Sequence, residues 1–106
     1  MNIRISKDAA RWYIKELGLQ EGSFLRFFPR YSSGGGLHPG FSLGISEEPA
    51  ERPFLQENVE GVNFYMEEQD VWYLREYDLV VNYLQTYDDI DYVYEPEQLN
   101  SSAEVK

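Results

Sequence analysis

The chain contains no cysteine among its 106 residues. This absence excludes disulfide bonds, thiolate nucleophiles, and zinc or iron–sulfur centres that cysteines of this chain would ligate. Histidine is nearly as scarce, because His38 is the single one in the sequence. One histidine without a cysteine or a serine motif beside it gives no basis for a catalytic triad. We therefore predict that the chain is not an enzyme and carries no cofactor.

Long apolar runs are also missing. No segment has the roughly 20 consecutive apolar residues that a membrane-spanning helix needs, and the opening Met-Asn-Ile-Arg-Ile-Ser lacks the apolar core of a signal peptide. The sequence therefore predicts a cytoplasmic protein that does not enter a membrane.

Basic residues are few, with 9 Lys and Arg against 19 Asp and Glu, which gives a formal net charge of −10. The imbalance lies in residues 57–106, which carry 13 acidic and 2 basic groups. Nucleic acids and anionic membranes both bind basic surfaces, so this charge argues against either as a partner. We expect a protein partner or a homodimer instead.

Aromatic residues are abundant, at 16 % of the chain, with nine Tyr and six Phe. Such residues favour β-strands, and a chain of this length holds one core. The first elements are a short strand at Ile3–Ile5 and a helix over Lys7–Leu17. Ser6 is placed to cap this helix at its N-terminus, and Gly18 to end it in a left-handed conformation.

Alternating apolar and polar positions predict the remaining strands. These strands are Ser23–Tyr31, Phe41–Ser46, Phe54–Val59, Val62–Glu67, Asp78–Leu84 and Ile90–Tyr94, the last of which Pro96 ends. Pro29 has no N–H to donate, so it predicts a sheet edge or a bulge at that point. Asp70 is expected to cap a short helix over Val71–Tyr77, which would place Trp72 and Leu74 near the core.

The loop between the second and third strands holds the longest glycine run, Gly34–Gly36, followed by His38. One hypothesis is that its backbone N–H groups form an anion-binding nest. The candidate ligand-binding residues are then Arg26, Arg30, Ser33, Gly34, Gly35, Gly36 and His38. The alternative is a flexible hairpin tip, with Arg26 and Arg30 paired to the acidic second half of the chain.

Two further groups have open alternatives. His38 either lies on the loop surface or ligates a metal together with carboxylates such as Glu67, Glu68 and Asp70. Several tyrosines near the C-terminus form either an aromatic interaction surface or half-buried strand positions. These tyrosines are Tyr73, Tyr77, Tyr83, Tyr87, Tyr92 and Tyr94.

The order of these segments resembles that of HesB/IscA-type domains, the A-type iron–sulfur cluster carriers, and in particular a cysteine-free, YneR-like bacterial branch of them. The resemblance covers nearly the whole chain. It rests on the segments Ile5–Ala10, Phe24–Arg30, Ser32–Leu37, Val62–Met66 and Leu79–Tyr83.

The resemblance implies an α+β, mostly β fold: a mixed-sheet pseudobarrel of about six or seven short strands, with an N-terminal helix and a second short helix. It implies one domain over residues 1–96, and the polar composition of residues 97–106 predicts a disordered tail. The family's carriers use one loop cysteine and a C-terminal Cys-Gly-Cys. Here Gly34 occupies the loop position, and the segment near Asn100–Ser102 has no such motif.

Because glycine and serine do not replace thiolates as iron ligands, we expect a fold without the carrier's cluster site. The sequence then predicts a non-enzymatic interaction or adaptor module. Two alternatives remain, a residual iron- or metal-binding protein of cluster assembly that uses carboxylates and His38, and a small anion binder at the Gly34–Gly36 loop.

Overall fold

A computed structural model describes residues 1–34 and 36–97 of the chain. The elements in order are β1 (Ile3–Ile5), α1 (Lys7–Leu17), β2 (Phe24–Tyr31), β3 (Phe41–Glu47), β4 (Pro53–Val59), β5 (Val62–Glu67), a 3-10 helix (Val71–Leu74), β6 (Tyr77–Leu84) and β7 (Asp89–Pro96). The predicted α+β class with mostly β-strand is confirmed. No helix in this described part is long and apolar enough to cross a bilayer.

The strands form two mixed sheets. The first has the order β1-β6-β7, in which β1 runs parallel to β6 and β6 antiparallel to β7. The second has the order β3-β2-β5-β4, in which β2 and β5 are parallel and the outer pairs are antiparallel. The sheets approach each other where β1 lies near β4, and they do not join into a closed barrel.

Helix α1 follows its local signals. The Ser6 hydroxyl accepts a hydrogen bond from the Ala9 N–H at 3.1 Å, and Gly18 ends the helix at a φ of 67°. Ala9, Ala10 and Tyr13 form its buried face. The predicted bounds and both caps are confirmed. A hydroxyl N-cap and a left-handed glycine provide hydrogen-bond partners for backbone N–H and C=O groups that have none within the helix.

The core is aromatic. Phe27 of β2 and Phe64 of β5 stack with ring centroids 6.0 Å apart, and Tyr13 of α1 packs against both. The hydroxyls of Tyr13 and Tyr92 share a 2.6 Å hydrogen bond. Within the described residues no buried side-chain nitrogen or oxygen lacks a partner, so the tyrosines add apolar area to the core without leaving a polar atom unpaired.

Strand β2 forms a hairpin with β3, and the glycine loop is its tip, as predicted; the register pairs Tyr31 with Phe41. The parallel pairing of β2 with β5 covers only Phe24–Arg26. Pro29 therefore lies where β2 has a single strand neighbour, which confirms the predicted edge and explains why the missing N–H is tolerated.

The segment after β5 differs from prediction. The helix is a 3-10 turn ending at Leu74, and the Asp70 side chain makes no capping bond. The predicted placement of Trp72 in the core is wrong, because Trp72 is 47 % exposed while Tyr73 and Leu74 are buried. A single turn of helix has room to bury only part of an apolar run. The predicted tail lies outside the described residues except for Glu97.

Candidate protein-interaction surface

The end of the glycine loop is held against the 3-10 helix. A Cβ atom on Gly36 would lie 2.5 Å from the Tyr73 hydroxyl and 2.5 Å from the Phe41 carbonyl oxygen. The Leu37 N–H donates a 3.0 Å hydrogen bond to the same Tyr73 hydroxyl. Glycine is thus required at position 36 for close approach, and this part of the loop is anchored by a residue 36 positions away in sequence.

His38 belongs to the same anchor. Its Nε2 lies 3.1 Å from the Tyr73 carbonyl oxygen, and since a carbonyl only accepts, Nε2 is the protonated nitrogen. The imidazole also meets the Tyr73 ring edge-on, at 5.2 Å between centroids. His38 is half-buried here, rather than lying freely on the loop surface.

Around this anchor lies what we call the aromatic patch: Tyr31, Phe41, Trp72 and His38. Tyr31 stacks on Phe41 at 5.0 Å, and Phe41 meets Trp72 edge-on at 5.3 Å. Tyr31 is 86 % exposed. Trp72 is 47 % exposed, and Phe41, which contacts both rings, is half-buried. Exposed aromatic side chains on a fixed backbone are typical of protein-binding surfaces. Sequence reasoning missed this patch because it assigned Trp72 to the core.

Arg26 does not face the glycine loop as a free cation. Its guanidinium pairs with the Asp70 carboxylate at 2.8 Å and with Glu48 at 3.4 Å, and it lies over the Phe28 ring at 5.2 Å. The alternative that Arg26 pairs with the acidic second half is therefore confirmed through Asp70. Burial raises the pKa of Asp70, and the hydrogen bond and charge of Arg26 lower it in part.

Three further hydrogen bonds lie around this ion pair. The Tyr65 hydroxyl donates to the Glu48 carbonyl oxygen at 2.7 Å, and burial together with the charge of Glu48 raises the pKa of Tyr65 to about 12. Glu67 accepts bonds from the backbone N–H groups of Glu51 and Arg52 at 2.9 and 2.7 Å. These hydrogen bonds hold the connection between β3 and β4.

Arg30 lies elsewhere, in a cleft of about 640 Å³ between β3 and β7. Its Cδ would be 3.0 Å from a Cβ on Gly44, so its aliphatic part crosses β3 where glycine leaves room. The predicted ligand residues are thus divided among an ion pair, a cleft and the loop anchor. Ser33 and Gly34 are exposed in the loop, and Gly35 lies outside the described residues. Ligand binding by this set stays a prediction.

Two of the three carboxylates proposed to join His38 at a metal make other contacts. Asp70 is bonded to Arg26 and Glu67 to backbone N–H groups. Within residues 1–34 and 36–97, no three His, Asp or Glu side chains converge as metal ligands do. The arrangement gives no support to the metal-site alternative.

The C-terminal tyrosines are mostly structural. Tyr73 is fully buried, while Tyr77, Tyr83, Tyr92 and Tyr94 are half-buried on strands. Tyr87 alone of the six is highly exposed, at 76 %. The half-buried interpretation is therefore confirmed, and the exposed aromatic surface lies instead at the hairpin tip.

No protein-family model matches the chain, and no solved structure matches it. Among curated proteins, it is 36 % identical over 95 residues to a protein of Bacillus subtilis named pyruvate dehydrogenase inhibitor, with 90 % of this chain and 100 % of that protein covered. Uncharacterised proteins of Staphylococcus saprophyticus and Staphylococcus aureus are each 32 % identical, with 87 % of this chain and 97 % of theirs covered. The chain belongs to the family of the Bacillus subtilis pyruvate dehydrogenase inhibitor.

Proposed function

We propose that this chain is a non-enzymatic protein-binding module that inhibits a pyruvate dehydrogenase by binding to it through the aromatic patch. The observation that carries the binding mode is the pair of exposed rings, Tyr31 and Trp72, which both contact the half-buried Phe41 beside an anchored loop. The choice of partner comes from the name of the Bacillus subtilis relative. Exposed Trp and Tyr side chains with a fixed backbone contribute strongly to protein interfaces, because little entropy is lost on binding.

The chemistry around the patch supports inhibition by contact rather than by catalysis. The Nε2 proton of His38 is directed at the Tyr73 carbonyl oxygen, so this nitrogen is not free to accept a proton from a substrate. Arg26 is neutralised by Asp70 and Glu48. A surface of this kind inhibits an enzyme by covering a site or by holding two parts of it apart.

We further propose that the scaffold is a HesB/IscA-type fold in which the cluster site is replaced by this anchored loop. Short strands, an N-terminal helix, a second short helix and a glycine loop after the second strand agree with that origin. The separation into two sheets differs from the expected pseudobarrel. An experimental structure superposed on an A-type carrier tests the proposal; a different strand order would contradict it.

Inhibition is tested with purified bacterial pyruvate dehydrogenase complex, such as that of Bacillus subtilis. The wild-type chain is expected to lower the rate of NADH formation in proportion to the complex bound. Replacing the exposed rings, Tyr31→Ala with Trp72→Ala, should weaken inhibition at least about tenfold, as loss of interface hot spots does.

The matched control is Tyr87→Ala, which removes a ring that is 76 % exposed, against 86 % for Tyr31, at the turn between β6 and β7. This variant should inhibit like the wild type. Inhibition that survives the double replacement would exclude the aromatic patch, and a wild-type chain that neither binds nor slows the complex would exclude the proposed function.

A further inference from the structure

Two sheet edges face the same cleft. In the described part of the chain, β3 pairs only with β2, and β7 pairs only with β6. The cleft between them measures about 640 Å³, and its walls include Leu43 on one side and Tyr92 and Tyr94 on the other. An unpaired strand edge presents N–H and C=O groups that can bind another strand.

The two faces of β3 differ in chemistry. Phe41, Leu43 and Ile45 pack against the core, whereas Ser42 and Gly44 point to the opposite face, because side chains alternate along a strand. On that opposite face Gly44 makes room for the Phe28 ring and for the aliphatic part of Arg30. Arg30 is therefore seated across β3 and lines the cleft.

The guanidinium of Arg30 has no carboxylate within 4.0 Å among the described residues. Arg4, Arg11 and Arg26 are each held in ion pairs, whereas Arg52 and Arg75, like Arg30, form none within 4.0 Å among the described residues. Among these unpaired arginines Arg30 is the one that lines the cleft, where Asp91 is the single carboxylate of the described lining and forms no ion pair with it. A cation left free beside an unpaired strand edge complements a carboxylate supplied by a partner.

We propose that this cleft binds an extended segment of a partner protein, which adds to the free edge of β3 as a further strand. Alternate side chains of such a segment would be apolar toward Leu43 and Tyr92, and one carboxylate would face Arg30 on the other side. The net charge of −10 disfavours further acidic residues, so the rest of the segment is neutral or basic.

This inference rests on the proposed function for the identity of the partner, and its test does not need that partner. The probe is a dye-labelled peptide with capped ends and the sequence Lys-Val-Thr-Val-Glu-Val-Thr-Val-Lys, compared with the same peptide carrying Gln in place of Glu. Binding is measured by fluorescence anisotropy. The Glu peptide should bind about tenfold more tightly, the effect of one charge-assisted hydrogen bond.

Two charge-reversal variants test whether Arg30 causes this difference in affinity between the two peptides. Arg30→Glu should abolish the preference for the Glu peptide, whereas Lys7→Glu, the same change of charge at an exposed position of α1, should retain it. Equal binding of both peptides to the wild-type chain, or no binding of either, would overturn the proposal.

Hydrogen exchange locates the added strand. With the Glu peptide bound, amide exchange should slow within β3, residues 41–47, and not within β4, residues 53–59, the other edge of the same sheet. Slowing confined to β4 or to the glycine loop would overturn the strand addition. If the Tyr31 and Trp72 double variant loses inhibition but the wild-type chain shows no preference for the Glu peptide, the proposed function is retained and the strand addition is rejected. If the double variant still inhibits and the wild-type chain prefers the Glu peptide, the strand addition is retained and inhibition through the aromatic patch is rejected.

Discussion

Strand β2 has an arginine in each half, Arg26 in the inner half and Arg30 in the outer half, and the two side chains have different surroundings. Arg26 and Arg30 lie four positions apart and so point to one face of the sheet. Around Arg26, β2 lies between β3 and β5, and the guanidinium is 16 % exposed against an Asp70 carboxylate that is 7 % exposed. Around Arg30, β2 has β3 as its single strand neighbour, and the arginine faces a cleft.

The comparison shows that the contacts of each arginine depend on which strands lie beside β2 at its position. In the inner half, β5 leads into the segment that carries Asp70, so Arg26 meets a carboxylate and becomes part of the structure. In the outer half no carboxylate lies within 4.0 Å of the Arg30 guanidinium among the described residues, and Arg30 lines a cleft together with Asp91. Replacing Arg26 should therefore lower mainly the stability of the fold, and replacing Arg30 should affect mainly binding.

The largest expected effect is that of Arg26→Met. It leaves the Asp70 carboxylate buried without its main partner, and loss of one member of a buried ion pair costs roughly 3–5 kcal/mol of unfolding free energy. Arg30→Met, the matched control on the same strand and face, should change stability by less than about 0.5 kcal/mol. Urea denaturation at neutral pH measures both.

The pH dependence of the stability lost in Arg26→Met tests whether the ion pair with Asp70 is the cause. Arg26 lowers a pKa of Asp70 that burial raises, so its removal raises this pKa further. A carboxyl whose pKa is raised in the folded chain destabilises the fold as pH increases through that pKa. The defect of Arg26→Met should thus be smallest near or below pH 3.8, the ordinary pKa of Asp. A defect independent of pH would argue against the ion pair as its cause.

Gly36→Ala should have an intermediate effect. The added Cβ would lie 2.5 Å from both the Tyr73 hydroxyl and the Phe41 carbonyl oxygen, so the loop must move and the Leu37–Tyr73 bond is lost. Overpacking of this kind costs about 1–3 kcal/mol. At Gly34 the nearest atom to an added Cβ is the Ser32 hydroxyl at 3.5 Å, an ordinary contact, so Gly34→Ala is the control.

A double-mutant cycle identifies the contact responsible. Tyr73→Phe removes the hydroxyl that the new methyl group meets, so Gly36→Ala should cost less in that background than in the wild type. Thermal denaturation of the four proteins gives the coupling energy. Strictly additive effects would place the strain at Phe41 alone and weaken the case for an anchored loop.

The elements that sequence predicted well are those with local causes. Ser6 and Gly18 fix the ends of α1 within a few residues of the helix they cap, and alternating apolar residues define each strand. The errors involve partners distant in sequence. Asp70 was expected to cap a helix, but Arg26, 44 positions earlier, binds its side chain. No local pattern contains that information.

The candidate surface was missed for the same reason. The run Val71-Trp72-Tyr73-Leu74 is apolar throughout, and periodicity does not say which of its aromatic rings is buried. The choice is made by the glycine loop, which brings the Leu37 N–H to the Tyr73 hydroxyl and leaves Trp72 outside. The loop was correctly identified as a hairpin tip, while its docking partner depends on the tertiary fold.

The smallest expected effect concerns Tyr65, which pairs in register with Arg26 in the inner half of β2. Burial and the nearby charges of Glu48 and Glu67 raise its pKa to about 12. Above pH 10, the ordinary pKa of Tyr, the unfolded chain releases this proton while the folded chain retains it. Stability is therefore complete below pH 10 and is lost as pH rises toward 12.

Tyr65→Phe should lower stability at neutral pH by about 1 kcal/mol, because one hydrogen bond to Glu48 is lost. It should also flatten the decline in unfolding free energy between pH 10 and about 12, where the wild type loses the contribution of this hydroxyl. Urea denaturation across this range measures the slope. Tyr31→Phe, at an 86 % exposed site, supplies the comparison from the outer half of β2 and should leave the slope unchanged. An equal change of slope in both variants would mean that the inner half of the strand is no more protected from solvent than the outer half.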